Sequence, residues 1–125
     1  MKRIHVLLVA ALAMLTLVVV GAAQASTQST GSLVGTVGPG FTINLTKAGK
    51  TVNNKTLKAG SYKITVHDKG TIHNFHLFGP GGVNKKTSVA GTGNSVWTVK
   101  LKKGSYTYRC DIHFMSGMIG HFKVK

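Results

Sequence analysis

Acidic side chains are almost missing from this chain: among 125 residues only Asp68 and Asp111 are acids, against 16 Lys and Arg, for a formal net charge of +14. There is one cysteine, Cys110, so no internal disulfide can form. A domain of this kind must stand on its apolar core alone. No nucleic-acid recognition motif accompanies the positive charge. No helical periodicity is visible after residue 25, and no cysteine follows the apolar run near the amino end, which excludes a lipid anchor there.

That run is the first thing present. Lys2 and Arg3 precede an almost unbroken apolar stretch, Val6 to Val20, and Ala23-Gln24-Ala25 offers small residues around a cleavage point. The pattern predicts a secretory signal peptide over 1–25, since a membrane span needs about 20 apolar residues. The remaining residues, 26–125, are expected to form one domain, with 26–31 a loose Ser/Thr-rich arm. Losing Lys2 and Arg3 leaves 14 basic residues against two acids, or +12. A field of that sign draws acidic partners or anionic surfaces. The expected location is the periplasm or the cell exterior.

Alternation fills the domain. Phe41, Ile43 and Leu45 alternate with polar residues. So do Tyr62, Ile64 and Val66; Trp97, Val99 and Leu101; Tyr106, Tyr108 and Cys110; and Phe122 and Val124. Period two with one apolar face predicts half-buried strands. Gly38-Pro39-Gly40, Asp68-Lys69-Gly70, Gly79-Pro80-Gly81-Gly82 and Gly91-Thr92-Gly93-Asn94 punctuate them as turns. The fold class is all-β, a sandwich or barrel. Lys58-Ala59-Gly60-Ser61-Tyr62 and Lys102-Lys103-Gly104-Ser105-Tyr106 are alike, which predicts one turn-into-strand solution used twice.

The chemistry gathers around the cysteine. Cys110, His113 and Met118 stand at C-x2-H-x4-M, and His73-Asn74-Phe75-His76 lies upstream. A thiolate, two imidazoles and a thioether are the ligand set of a blue-copper site, whereas zinc favours closed sets richer in thiolate or carboxylate. A lone thiol in an exported protein would otherwise oxidise. Either His73 or His76 could supply the upstream imidazole. Three residues along a strand puts them on opposite faces, so one copper would take only one. Met115 competes with Met118, but it follows His113 too closely to wrap around a metal. His67 and His121 have no sequence partners, and Asp111 reads as a loop cap.

With these residues in place the chain resembles the cupredoxin family, in its plastocyanin-, pseudoazurin- and amicyanin-like branch. The resemblance rests on His73-Asn74 and on Tyr108-x-Cys110-x2-His113-x4-Met118. It implies a Greek-key β-sandwich of about eight strands holding one type 1 copper. It implies His73, Cys110 and His113 as equatorial ligands, Met118 as the axial ligand, and Asn74 tying the ligand loops together. Ile72 and Ile112 stand where that branch often has prolines, and the acidic patch of plant plastocyanins has no counterpart. The expected function is a mobile one-electron carrier, not an enzyme, with copper delivery or storage as the alternative. The expected docking edge lies around His113, with Phe114, Met115, Lys85 and Lys86, and the Gly79–Gly82 loop beside it. The expected partners are acidic redox proteins, with an anionic membrane or envelope surface as a further possibility and a monomeric carrier.

Overall fold

The computed structural model describes residues 29–125. The expected signal peptide and the start of the arm lie outside the described residues. Ser29 and Thr30 bond the Ser61 carbonyl, and Gly31 opens the first strand.

Ten strands follow: β1 Gly31–Val37, β2 Ile43–Lys47, β3 Lys50–Thr51, β4 Thr56–Leu57, β5 Gly60–Asp68, β6 His76–Gly79, β7 Val83–Lys86, β8 Gly93–Leu101, β9 Gly104–Arg109 and β10 Ile119–Val124. The expected count of about eight omits the two-residue strands β3 and β4, too short to show alternation. One sheet has the order β3-β2-β1-β5-β8 and the other β4-β10-β9-β6-β7. Pairing is antiparallel except for β1 with β5 and β4 with β10. The expected all-β sandwich is therefore present, with mixed sheets.

Alternation does what period two requires. In β5 Tyr62, Ile64 and Val66 are buried while Lys63 is exposed. In β9 and just beyond it, Tyr106, Tyr108 and Cys110 point inward, and in β10 Phe122 and Val124 do. Stacked rings knit the interior: Phe75 on Tyr108 and Tyr106 on Phe122. Such pairs add about 0.5–1.5 kcal/mol beyond their buried area.

The two similar turns are one device. Gly60 and Gly104 both take positive φ, 150° and 140°, where glycine is favoured. Each is followed two residues later by a buried tyrosine whose hydroxyl reaches back: Tyr62 to the Lys58 carbonyl at 2.8 Å, Tyr106 to the Lys102 carbonyl at 3.0 Å.

Register fixes which loops meet. The end of β9 lies beside the start of β6, with His76 opposite Arg109. The end of β5 lies beside the end of β1, with Asp68 opposite Val37. Loops 38–42, 69–75, 87–92 and 110–118 therefore share one end. Phe41 departs from expectation. It is not in β2 but in loop 38–42, where Gly38 N–H bonds the Thr42 carbonyl and Thr42 N–H the Gly40 carbonyl. That closure lifts Phe41 out of the strand, 58% exposed.

Candidate metal centre

His73 is wholly buried in the 69–75 loop, and Asp68 explains how the loop is held. Its carboxylate accepts Thr87 Oγ1 at 2.6 Å and Gly70 N–H at 3.3 Å. Thr87 in turn bonds the Phe75 backbone in both directions. Glycine makes room for the ring: a Cβ on Gly70 would stand 2.7 Å from His73 Cδ2. His73 Nε2 is buried without a hydrogen-bond partner among the described residues. Its ring is thus oriented by packing and by what meets Nδ1.

Three donors converge there. His73 Nδ1 and His113 Nδ1 are 3.0 Å apart, and Cys110 Sγ lies 3.9 Å from the first and 3.6 Å from the second. Among the described residues they form the one His/Cys/Asp/Glu cluster of metal-binding dimensions. Imidazole nitrogen and thiolate sulfur bind a first-row ion at about 2.0–2.3 Å, so donors on one ion stand roughly 3–4 Å apart. The triangle meets that spacing without rearrangement. Met118 is fully buried, and backbone bonds place it against the same loop: Cys110 N–H to the Met118 carbonyl at 3.0 Å, Met118 N–H to the His113 carbonyl at 3.3 Å. A thiolate, two imidazoles and a buried thioether, with no carboxylate in the cluster, suit copper.

Asn74 and Asp111 form the surrounding support. Asn74 Oδ1 accepts the Asp111 N–H at 2.8 Å, and its Nδ2 donates to Asp111 Oδ2 at 3.0 Å. Asp111 Oδ1 accepts Arg109 Nε at 3.0 Å and meets His76 Nδ1 at 2.9 Å. Burial alone would raise the Asp111 pKa; hydrogen bonds from His76, Asn74 and Arg109 outweigh it and hold the carboxyl at about 2. His76 also meets Asn84 Oδ1 at 2.7 Å. It faces Asp111, away from the donor triangle; His73 lies in the loop before β6, so strand alternation does not relate the two. His67 and His121 are likewise engaged elsewhere, with Asn94 and Thr107.

The rim of the site differs from expectation. The Gly79–Gly82 loop lies at the opposite end of the sandwich, because β6 runs down from the site: Gly79 packs on Tyr106 and Gly81 on Lys102. Phe114 is half-buried under the Arg109 guanidinium, 4.6 Å from ring centre to Cζ. Met115 is 88% exposed. Lys85 and Lys86 are exposed on β7, opposite Leu77 and His76. Phe41 is the residue that sequence reasoning missed. It stands edge-on to both His73 and His113, at 5.5 and 4.8 Å between ring centres. The one hint was its place beside Gly38-Pro39-Gly40, which argued for a loop.

No protein-family model and no curated protein matches this sequence. Solved structures do. Reduced rusticyanin is 24% identical with a TM-score of 0.56, over 75% of this chain and 78% of that one. Rusticyanin from Thiobacillus ferrooxidans is 23% identical with a TM-score of 0.55, over 75% and 76%. Rusticyanin is a cupredoxin. The chain has the cupredoxin fold, with His73, Cys110, His113 and Met118 forming a type 1 copper-like site at one end of the sandwich.

Proposed function

We propose that this protein is an exported type 1 copper protein that carries single electrons between redox partners. The convergence of His73 Nδ1, His113 Nδ1 and Cys110 Sγ within 3.9 Å carries the reading. Copper held there would supply a Cu(I)/Cu(II) couple. In this reading His73, Cys110 and His113 bind it and Met118 is the weak axial donor. Rusticyanin, similar in fold, is a copper protein, which supports the assignment.

The chain's own residues suit a carrier. Strand ends and the Asn74–Asp111 bonds hold the ligand loops together, so little needs to move when the charge on the site changes. His113 is half-buried, and Phe41, Ile72, Ile112 and Met115 are exposed in the loops of its end. An apolar edge of that kind suits brief contact with a partner. The basic field would steer an acidic one. Lys2, Arg3, the run to Val20 and Ala23-Gln24-Ala25 support export.

The test is the absorption and electron paramagnetic resonance spectrum of the copper-loaded oxidised protein. The expected result is one copper, an intense visible band from thiolate-to-copper charge transfer, and loss of that band in Cys110→Ser. A colourless, ordinary Cu(II) spectrum would overturn the carrier reading in favour of copper delivery or storage.

A further inference from the structure

We infer that the pole opposite the metal centre is a docking face for an anionic lipid bilayer. Strand directions bring three lysine-bearing turns and the chain end to that pole. The β2–β3 turn carries Lys47 and Lys50, the turn into β5 carries Lys58, the β8–β9 turn carries Lys102 and Lys103, and Lys125 follows β10. The β5–β8 pairing sets Gly60 opposite Leu101, which brings the β8–β9 turn beside the turn into β5, and short contacts join the rest. Ala59 N–H bonds the Lys125 carbonyl, the Lys47 ammonium lies 5.5 Å from the Tyr62 ring centre, and Tyr62 bonds the Lys58 carbonyl. All but Lys47 are exposed.

Both acids are at the other end. Asp68 closes β5 beside the His73 loop, and Asp111 follows Cys110. The charge is therefore polarised along the strands, and no acidic side chain at the lysine pole opposes contact with an anionic surface. The two tyrosine-locked turns fix Lys58 and Lys102 at their backbone, so little backbone order is lost on binding.

A bilayer is favoured over a soluble polyanion by where the chain enters. Thr30 is bonded to Ser61 at this pole. The apolar run Val6 to Val20 precedes it, with only residues 21–28 between that run and Ser29. Eight extended residues span at most about 29 Å. During export, before cleavage of the expected signal peptide, that run lies in the membrane and the basic pole is the face brought down to the lipid; after cleavage the lysines alone would keep it there. The copper-like site then points away from the surface, open to partners. The inference does not depend on the metal, so it can fail or hold apart from the carrier reading.

Each lysine at an anionic surface strengthens partition by about five-fold. The purified full chain is sedimented with vesicles of phosphatidylcholine alone or mixed with phosphatidylglycerol, at low and high salt. Binding to the anionic vesicles, weakened by salt, is expected. The triple variant Lys58→Gln, Lys102→Gln, Lys103→Gln should lower partition at least about 30-fold. Lys69→Gln, Lys85→Gln, Lys86→Gln removes the same charge at the metal end and should lower it only a few-fold. Unchanged circular dichroism confirms that both variants fold. Lysine acetylation read by mass spectrometry gives a second measure that works even if the apolar run inserts. Anionic vesicles should protect Lys58, Lys102 and Lys103 and leave Lys69, Lys85 and Lys86 reactive. Equal losses in the two triples with uniform acetylation, or binding to poly-glutamate but not to vesicles, would overturn the inference.

Discussion

Asn74 and Asp111 hold each other twice, backbone N–H to side-chain oxygen at 2.8 Å and side-chain amide to carboxylate at 3.0 Å. One residue follows His73 and the other follows Cys110. The two bonds thus join loops that are 37 positions apart. Asn74→Leu keeps the volume and removes both. Hydrogen bonds to charged groups contribute about 1.5–3 kcal/mol, so a stability loss of that size is expected in urea unfolding of the metal-free protein. An unchanged midpoint would show that the loops are held by other contacts.

Met118 is sealed in the core and Met115 stands in solvent. Met118→Leu should retain copper and raise the reduction potential, because a donor that favours Cu(II) has gone. Met115→Leu should leave the potential and the visible spectrum as they are. A shift in the second variant and none in the first would reverse the axial assignment.

Gly70 is a packing requirement of His73. A methyl group there would meet Cδ2 of the ring at 2.7 Å. Overpacking of this kind costs about 1–3 kcal/mol. Gly70→Ala should lower stability by that amount and weaken copper affinity. Gly40→Ala, where a Cβ meets nothing within 4 Å, is the control. Equal behaviour of the two in a copper titration would remove Gly70 from the site's support.

Asp111 links the site to acid. Its carboxyl is held at about 2 against an ordinary 3.8. A lowered folded value means stability that is complete above pH 3.8 and is lost as pH falls through 2. The urea midpoint of the metal-free protein should therefore fall between about pH 4 and pH 2. Asp111→Asn should flatten that fall. Asp68 is the only other acidic side chain, so Asp111→Asn removes one of just two side-chain carboxylates whose protonation can contribute.

Phe41 covers both histidine rings at the exposed edge. Phe41→Ala should slow electron exchange of the copper protein at every ionic strength, because close apolar approach to His113 is lost. Lys85→Glu with Lys86→Glu should slow oxidation by an anionic reagent mainly at low salt, where the field is unscreened. Rates that rise with salt for that reagent would exclude electrostatic steering.

Much of this was legible in the sequence because it is local. Tyr62, Ile64 and Val66 announce a buried face by their own spacing. Cys110, His113 and Met118 lie in one loop, so their offsets carry the donor set. The paired Lys58–Tyr62 and Lys102–Tyr106 runs foretell the shared turn. What could not be read depends on register between distant strands. Phe41 reaches the histidines only because β1 and β5 end together. His76 meets Asp111 only because it stands across from Arg109. The Gly79–Gly82 loop lies at the far end because β6 runs away from the site, a direction that its sequence does not state.

The long-range ladders also have a consequence in time. β1 pairs with a strand about 30 residues later, and β6 with β9 at a similar distance. Pairings of this kind fold in milliseconds to seconds, far slower than helices. Cys110 lies at the end of β9 and becomes inaccessible only once both sheets have closed. If the chain is exported as proposed, a newly emerged copy carries a bare thiol into oxidising surroundings until then. The hazard for this protein is thus greatest before it is folded, and rapid capture of the thiol, by metal or by the closing core, decides how many chains escape intermolecular disulfides.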